Sequence, residues 1–316
     1  MSQATQTAVR PRKAGFFARL LDNIRRHPLV YVMAVVLLVY FILFCYWPMF
    51  GNVIAFKKYK PRQGIWGSKW VGMQNFTDFF SSVFFGRIVR NTLLISLYSL
   101  VFVFPVPIIF AILLNEIGCI RYKKTIQTVT YLPHFISTVV ICSMITQFTN
   151  SNGFITRFVN AISAHEGSLI GDANCFRAIY IISEIWQTFG WNSILYIAAI
   201  TAINQDLYEA AYIDGAGKIR QIWHVTLPGI RPTIVIMFIL ACGRVMSVGW
   251  EKSYLLQSPL TYETSDIIST FVYRKGFEDM DYSYSAAVNL FNSVINLALL
   301  TLANKLSNRF GESGLW

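Results

Sequence analysis

The stretch YEAAYIDGAGKIRQIWHVTLPG, residues 208–229, carries charge, glycine and histidine, with a long apolar segment on either side of it. Its GAGK run suggests a phosphate-binding loop, in which backbone N–H groups and a lysine hold the phosphates of a nucleotide. The spacing does not fit, because that loop needs glycine where Tyr212 stands and Ser or Thr where Ile219 stands. A dinucleotide-binding loop fails as well, since Arg220 occupies the position of its third glycine. A nucleotide site in this stretch is therefore rejected.

The first half of the stretch predicts a short helix. Asp206 and Glu209 have the N-cap and N3 spacing of a capping box, which would start a helix at Leu207. Gly215 and Gly217 permit backbone angles that end a helix. The polar insert therefore begins with a helix of about two turns, followed by a turn.

A second helix is predicted after the glycines, ending at Pro228, with Pro232 in the first turn of the next apolar segment. The side chains that would share one face of it are Ile219, Ile222, Trp223 and Thr226. A helix pair of this size has no core of its own. Its small residues, Ala210, Ala211 and Ala216, would let another backbone approach closely, so we expect a second polypeptide to cover the apolar face.

At this point the sequence resembles a known family. EAAYIDGAG, followed at the right interval by LP, resembles the EAA loop of the membrane subunits of ABC importers. The residues of the loop, predicted at 204–229, that carry the resemblance are Glu209, Ala210, Ala211, Asp214, Gly215, Ala216, Gly217, Leu227 and Pro228. In that family the loop is a coupling helix that docks in a groove of a separate ATP-hydrolysing subunit. Glu209 could also be simply the capping-box partner, and the two roles are compatible.

WVGMQNFTDFF, which precedes NTLLISLYS, resembles the entry to the permease core in sugar-importing members of the family. Two further segments, YLPHFISTVV and MDYSYSAAVNLFNSVINLALLTLANKLSNRF, resemble the subgroup that imports complex oligosaccharides. The resemblance implies an all-α membrane protein with the type I ABC importer permease fold. It also implies a second homologous permease, two ATP-binding subunits that hold ATP and Mg²⁺, an extracytoplasmic solute-binding protein and an oligosaccharide substrate. The chain itself carries no ATPase signature, so no catalytic residue and no cofactor is expected in it.

The composition supports a membrane protein. The 316 residues are 54% hydrophobic and 14% charged, with a mean hydropathy of +0.47, whereas roughly a quarter of the residues in a soluble domain are charged. Much of the net charge of +11 lies in two clusters, before and after the first apolar run. No basic patch with interleaved aromatics lies on a soluble segment, so nucleic-acid binding is discounted. The five scattered cysteines frame neither a disulfide scaffold nor a metal site. The first apolar run is too long for a cleavable signal peptide.

Six membrane spans are predicted, at 29–50, 88–114, 125–149, 176–203, 232–255 and 284–306. The basic start places both termini in the cytoplasm, in a multi-pass protein of the bacterial cytoplasmic membrane. The predicted organisation is a basic N-terminus (1–28), a first transmembrane helix (29–50), an extracytoplasmic loop (51–87), a permease core of five helices (88–310) and a tail (311–316). The lysines at 57–69 then fall outside, against the charge rule, and could contact an anionic ligand, an acidic docking surface or lipid headgroups.

Polar residues at membrane depth usually face a cavity or a partner, and planar polar and aromatic side chains suit a sugar. The candidates for the substrate path are Glu184, Trp186, Gln187, Trp191, Asn192, Arg244, Glu251, Tyr254, Asn289 and Asn292. Alternatively, Glu184 and Arg244 could pair with each other, and the asparagines, including Asn296, could join neighbouring helices. A proton-coupled secondary transporter using Glu184 and Arg244 is the competing function, with His134 favoured as a structural residue rather than a proton carrier. An intramembrane enzyme is rejected because no catalytic motif is present.

Overall fold

The computed structural model describes residues 23–163 and 166–309. The predicted tail at 311–316 and most of the predicted N-terminus at 1–28 lie outside these residues. The chain divides into two units, Met1–Val53 and Ile54–Trp316. In the described part of the first unit, the apolar sequence from Pro28 onward forms a continuous helix.

The architecture of the described residues is almost entirely helical, apart from one two-stranded antiparallel ribbon. In chain order the main elements are α1 (Pro28–Phe56), β1 (Lys57–Lys58), β2 (Lys69–Trp70), α2 (Gln74–Phe80), α3 (Phe85–Asn115), α4 (Ile120–Phe135), α5 (Thr138–Thr149), α6 (Phe154–Ile162), α7 (Ala173–Thr201), α8 (Gln205–Ile213), α9 (Lys218–Cys242), α10 (Trp250–Leu256), α11 (Ile268–Tyr273) and α12 (Tyr282–Arg309). Short helical turns lie at Pro61–Gln63, Gly64–Gly67, Pro259–Thr261, Tyr262–Ser265 and Arg274–Glu278.

Four long helices, α1, α3, α7 and α12, follow their predicted spans closely. Within the described residues, α1, α3, α9 and α12 are long and apolar enough to cross a membrane, and α4 with α5 make a fifth span if the bent pair counts as one. Helix α7 has 29 residues, which at 1.5 Å per residue exceeds the ~30 Å of a bilayer core. It is not among the helices that are apolar enough to cross a membrane by composition, and its polar residues include Arg177, Glu184 and Asn192. The count of six spans therefore stays a prediction.

Two predicted spans differ from the structure. The span at 125–149 consists of two helices that meet at an angle of 95°, because the chain is extended at Ile136 and Ser137, and the Ser137 hydroxyl caps α5. The span at 232–255 ends early, since α9 stops at Cys242 and a turn at 243–249 precedes α10. Both breaks lie within long segments of high average hydropathy, so hydropathy alone does not locate them.

Three of the prolines inside long helices are preceded by a widened turn and do not end the helix. Each follows a π-helical turn by two residues: Pro48 after Ile42–Tyr46, Pro105 after Ser99–Val103 and Pro228 after Ile222–Thr226. In each, the residue before the proline donates its N–H to the carbonyl five residues back. The wider turn accommodates a residue that has no N–H and whose ring crowds a normal α-turn. The prediction that Pro228 ends its helix is therefore wrong.

The packing centre of the second unit is α7. One buried cluster joins α7 to α3 and α9 through Tyr196, Ala111 and Ile230. A second cluster joins the other end of α7 to α5 and α10 through Phe176, Cys142 and Leu256. The central helix is therefore fixed along its length, and its polar residues are held at defined depths between α3, α9 and α10.

Close approach of α4 to α7 depends on Gly190. A Cβ at this position would collide with the backbone carbonyl of Thr130, and backbone cannot rotate away. We expect Gly190→Ala to lower the free energy of unfolding by about 1–3 kcal/mol, the usual cost of overpacking. The matched control is Gly86→Ala, since Gly86 is also helical but a Cβ added there would meet nothing within 4 Å. Equal thermal midpoints for the two detergent-solubilised variants would show that the helices do not touch there.

Candidate functional site

The polar insert forms a helix-turn-helix. Helix α8 starts earlier than predicted, because Asn204 is the N-cap and its Oδ1 accepts from the backbone N–H of Asp206 at 3.1 Å. The proposed capping box of Asp206 and Glu209 is therefore wrong. Gly215 ends the helix as predicted, in the left-handed region with φ +75°, and α9 begins at Lys218.

Side-chain contacts hold the two helices of the insert together. The Tyr208 hydroxyl lies 3.0 Å from Thr226 Oγ1. Gln221 Nε2 donates to the Ala216 carbonyl at 3.0 Å, which closes the turn. Lys218 Nζ lies 3.1 Å from Glu116 Oε2, at the end of α3. The insert is thus a formed element that is tied to a membrane helix.

The surface of this insert is exposed and partly apolar. Tyr212, Ile213, Ile219 and Trp223 are each at least 65% exposed. Of the residues that carry the EAA resemblance, Glu209, Ala210, Asp214, Gly215, Gly217 and Pro228 are exposed, and Ala211, Ala216 and Leu227 are half-buried. Exposed aromatic and aliphatic side chains on a polar insert indicate a protein interaction surface.

A second feature is a cavity of about 540 Å³ between α3, α7, α9 and the turn at 243–249. Of the predicted substrate-path residues it brings together Glu184, Asn192 and Arg244. The polar side chains that complete the lining are Ser96, Ser99, Tyr180, Tyr196 and Ser247. Tyr180, Glu184, Asn192 and Tyr196 are spaced by multiples of four along α7, so helical periodicity could have identified the two tyrosines.

Glu184 does not pair with Arg244. Its Oε2 accepts from Lys252 Nζ at 2.9 Å, and the same Nζ donates to Gln187 Oε1 at 3.3 Å. Lys252 is 4% exposed and also lies 5.6 Å from the centroid of the Tyr180 ring. Arg244 is exposed to the cavity and forms no ion pair within the described residues. At the cavity wall, the charge of Glu184 is therefore balanced by Lys252, whereas the charge of Arg244 is not balanced by a carboxylate of the described residues.

The predicted asparagines divide between two positions. Asn292 and Asn296 both donate to Ser247 Oγ, at 3.4 and 2.7 Å, and Asn296 Oδ1 accepts from the Met246 backbone at 2.9 Å. These contacts tie α12 to the turn that follows α9, as the helix-joining alternative expects. Asn289 is exposed and lies outside the cavity lining.

The remaining candidates lie apart from the cavity lining. The Trp191 ring stacks on His134, with centroids 4.5 Å apart and planes 4° apart, which gives His134 a structural contact. Tyr254 donates to Glu278 Oε1 at 3.4 Å. Trp186 and Glu251 are exposed. These residues were selected because their side chains are polar or aromatic. Which of them line one cavity depends on the face of the helix on which each residue lies.

The Lys252–Glu184 pair provides a test of the cavity wall. Lys252→Met would leave the Glu184 carboxylate without its cation, and Glu184 is 29% exposed, so water offsets part of the loss. We expect the single variant to lose about 1–3 kcal/mol of stability and the double variant with Glu184→Gln to recover most of it. A thermal unfolding cycle measures the coupling. Strictly additive effects would contradict a direct pair.

A family model described as the inner membrane component of binding-protein-dependent transport systems matches residues 79–312. Protein LplB of Bacillus subtilis (strain 168) is 41% identical over 304 residues, covering 96% of this chain and 96% of that protein. The polygalacturonan/rhamnogalacturonan transport system permease protein YteP of the same organism is 40% identical and covers 94% and 93% of the two chains.

Solved structures of bacterial ABC transporters match the fold of this chain. One is the crystal structure of a bacterial ABC transporter involved in the import of the acidic polysaccharide alginate. Its matching chain is 39% identical, with a TM-score of 0.85 over 92% of this chain and 99% of that chain. A second structure, of the bacterial alginate ABC transporter in complex with a periplasmic protein that holds an alginate pentasaccharide, matches with a TM-score of 0.86.

Proposed function

Because this chain belongs to the family of inner membrane components of binding-protein-dependent transport systems, we propose that it is the permease subunit of an ATP-driven importer of acidic oligosaccharides. A second, homologous permease would complete the cavity. Two ATPase subunits would bind ATP and Mg²⁺, and an extracytoplasmic binding protein would deliver the sugar. All of these would act at the cytoplasmic membrane of a bacterium.

The observation that carries the proposal is the uncovered surface of the insert at 204–229. Glu209 and Asp214 are exposed beside apolar residues that no part of the described chain covers. Docking of an ATPase would bury those residues. Because Lys218 links the insert to Glu116 at the end of α3, and the insert continues into α9, movement of the ATPase would reach two helices of the cavity wall. The cavity would then alternate between outward and inward access.

The proposal that the substrate is acidic depends on Arg244. A cation that faces a cavity without a carboxylate partner favours an anionic ligand, since charge-assisted hydrogen bonds to a carboxylate are among the strong polar contacts. Two relatives support this choice, because one is named for polygalacturonan and rhamnogalacturonan transport and another takes part in import of the acidic polysaccharide alginate. Tyr180, Tyr196 and Asn192 would provide aromatic faces and hydrogen bonds for the sugar rings.

A proton-coupled transporter is less well supported. Its relay would need Glu184 free to exchange a proton, but Lys252 holds that carboxylate at 2.9 Å. His134 does not line the cavity, so it could not continue the relay from there.

Co-purification tests the proposal. The tagged chain is expressed with its chromosomal neighbours, solubilised in mild detergent and analysed for stoichiometric partners. We expect a second permease and two copies of an ATPase that carries a phosphate-binding loop. A chain that purifies alone, or only with copies of itself, would contradict the assignment.

A further inference from the structure

The ribbon at residues 57–70, here called the basic hairpin, lies at the start of the membrane-crossing helix α12. It starts directly after Phe56, the last residue of α1, and Trp70 stacks on Phe56 with ring centroids 5.7 Å apart. The Tyr59 backbone N–H donates to Ser283 Oγ at 2.8 Å, in the first turn of α12. Since a span of this kind ends where hydrocarbon meets water, the hairpin lies at the height of the lipid headgroups.

One lysine of the hairpin has a structural role. Lys57 is 8% exposed, and its Nζ donates to the Ile65 carbonyl at 2.8 Å, which fastens the loop to the first strand. The other basic side chains, Lys58, Lys60, Arg62 and Lys69, are exposed. Within the described residues none of these four forms an ion pair with a carboxylate.

The register of the ribbon places two of these positive charges opposite each other, which destabilises the ribbon. Lys58 lies directly opposite Lys69 in the antiparallel pair, and like charges at directly opposed positions destabilise a ribbon. No described carboxylate relieves the repulsion. An anion from outside the chain would do so, which favours an anionic partner rather than bare solvent.

The aromatic residues of the hairpin identify the kind of anion. Trp66 is 90% exposed and Trp70 is 59% exposed. Tryptophan beside lysine at the end of a membrane span is the combination that anchors proteins among headgroups. None of the residues that line the 540 Å³ cavity belongs to the hairpin, which separates it from the sugar path.

We propose that the basic hairpin binds the phosphate groups of anionic phospholipids, with Lys58 and Lys69 sharing one headgroup and Trp66 seated among the neighbouring ones. Bound lipid would cancel the repulsion across the ribbon. It would also hold the start of α12 at the membrane surface.

Native mass spectrometry of the full chain, released from nanodiscs that contain equal amounts of phosphatidylglycerol and phosphatidylcholine, tests this. The wild-type chain should retain phosphatidylglycerol selectively. Lys58→Gln with Lys69→Gln should reduce that retention by about tenfold or more, because each basic residue near a lipid surface contributes several-fold. The matched control, Lys58→Arg with Lys69→Arg, keeps both charges and should retain the lipid.

Other outcomes have defined meanings. Thermal unfolding of the Gln variant should show an unchanged or raised midpoint, so a loss of lipid cannot come from misfolding. Equal retention by the Gln variant, or no selectivity in the wild-type chain, would overturn the proposal. If lipid retention stayed constant while affinity for the extracytoplasmic binding protein fell, the hairpin would instead be a protein docking surface.

Discussion

Glu209→Lys should lower the rate of ATP-driven uptake by about 30-fold or more. Glu209 is exposed and has no ion pair within the described residues, so the variant should fold normally. The proposed ATPase would bury this side chain, and a reversed charge at a desolvated docking position costs roughly 2–5 kcal/mol. Uptake and co-purification of the ATPase should therefore fail together. Both are measured on the complex in the same preparation.

The control for this variant is Glu166→Lys, which makes the same charge reversal at an exposed residue outside the insert. We expect it to retain the ATPase and full uptake. Glu209→Gln removes the charge without reversing it and should give an intermediate decrease. If Glu209→Lys kept the ATPase bound and transport intact, the insert would not be the coupling element.

Arg244→Met should lower the uptake rate of an acidic oligosaccharide by about 10- to 100-fold. The physical reason is the loss of a charge-assisted hydrogen bond to the substrate, which contributes roughly 1.5–3 kcal/mol. Among the described residues that line the cavity, Arg244 is the one cation, so no other lining residue could replace it. The rate for the methyl-esterified oligosaccharide, which carries no charge, should change less than about twofold. Uptake of both sugars by the reconstituted transporter provides the comparison.

Arg157→Met is the matched control, because Arg157 is exposed and lies on α6, away from the cavity lining. It should transport both sugars at the wild-type rate. Equal losses for the charged and the esterified sugar in Arg244→Met would assign Arg244 to the stability of the cavity rather than to substrate charge.

The sequence predicted the long elements well because their signals are local. Apolar length located the helices at α1, α3 and α12, and the fixed spacing of glycine, glutamate and proline located the insert before any contact was known. The helix starts were less accurate. Asn204 rather than Asp206 caps α8, since both residue types can cap and only the backbone angles decide between them.

Contacts between distant segments could not be predicted in this way. Lys252 meets Glu184 across 68 residues of chain, and no local pattern records such a contact. Pro228 was misjudged because its effect depends on the π-helical turn before it, which propensity rules do not include. Asn292 was a substrate-path candidate by its type, yet it donates to Ser247 Oγ in the turn after α9.

Uptake into proteoliposomes tests the central claim most directly. The purified complex is reconstituted with ATP and Mg²⁺ enclosed on the side of the ATPase, and with binding protein and a labelled acidic oligosaccharide on the opposite side. We predict accumulation of the sugar only when ATP and binding protein are both present, and none from a pH gradient alone. Accumulation driven by a pH gradient in vesicles that hold this chain without any ATPase would contradict the account and support the proton-coupled alternative.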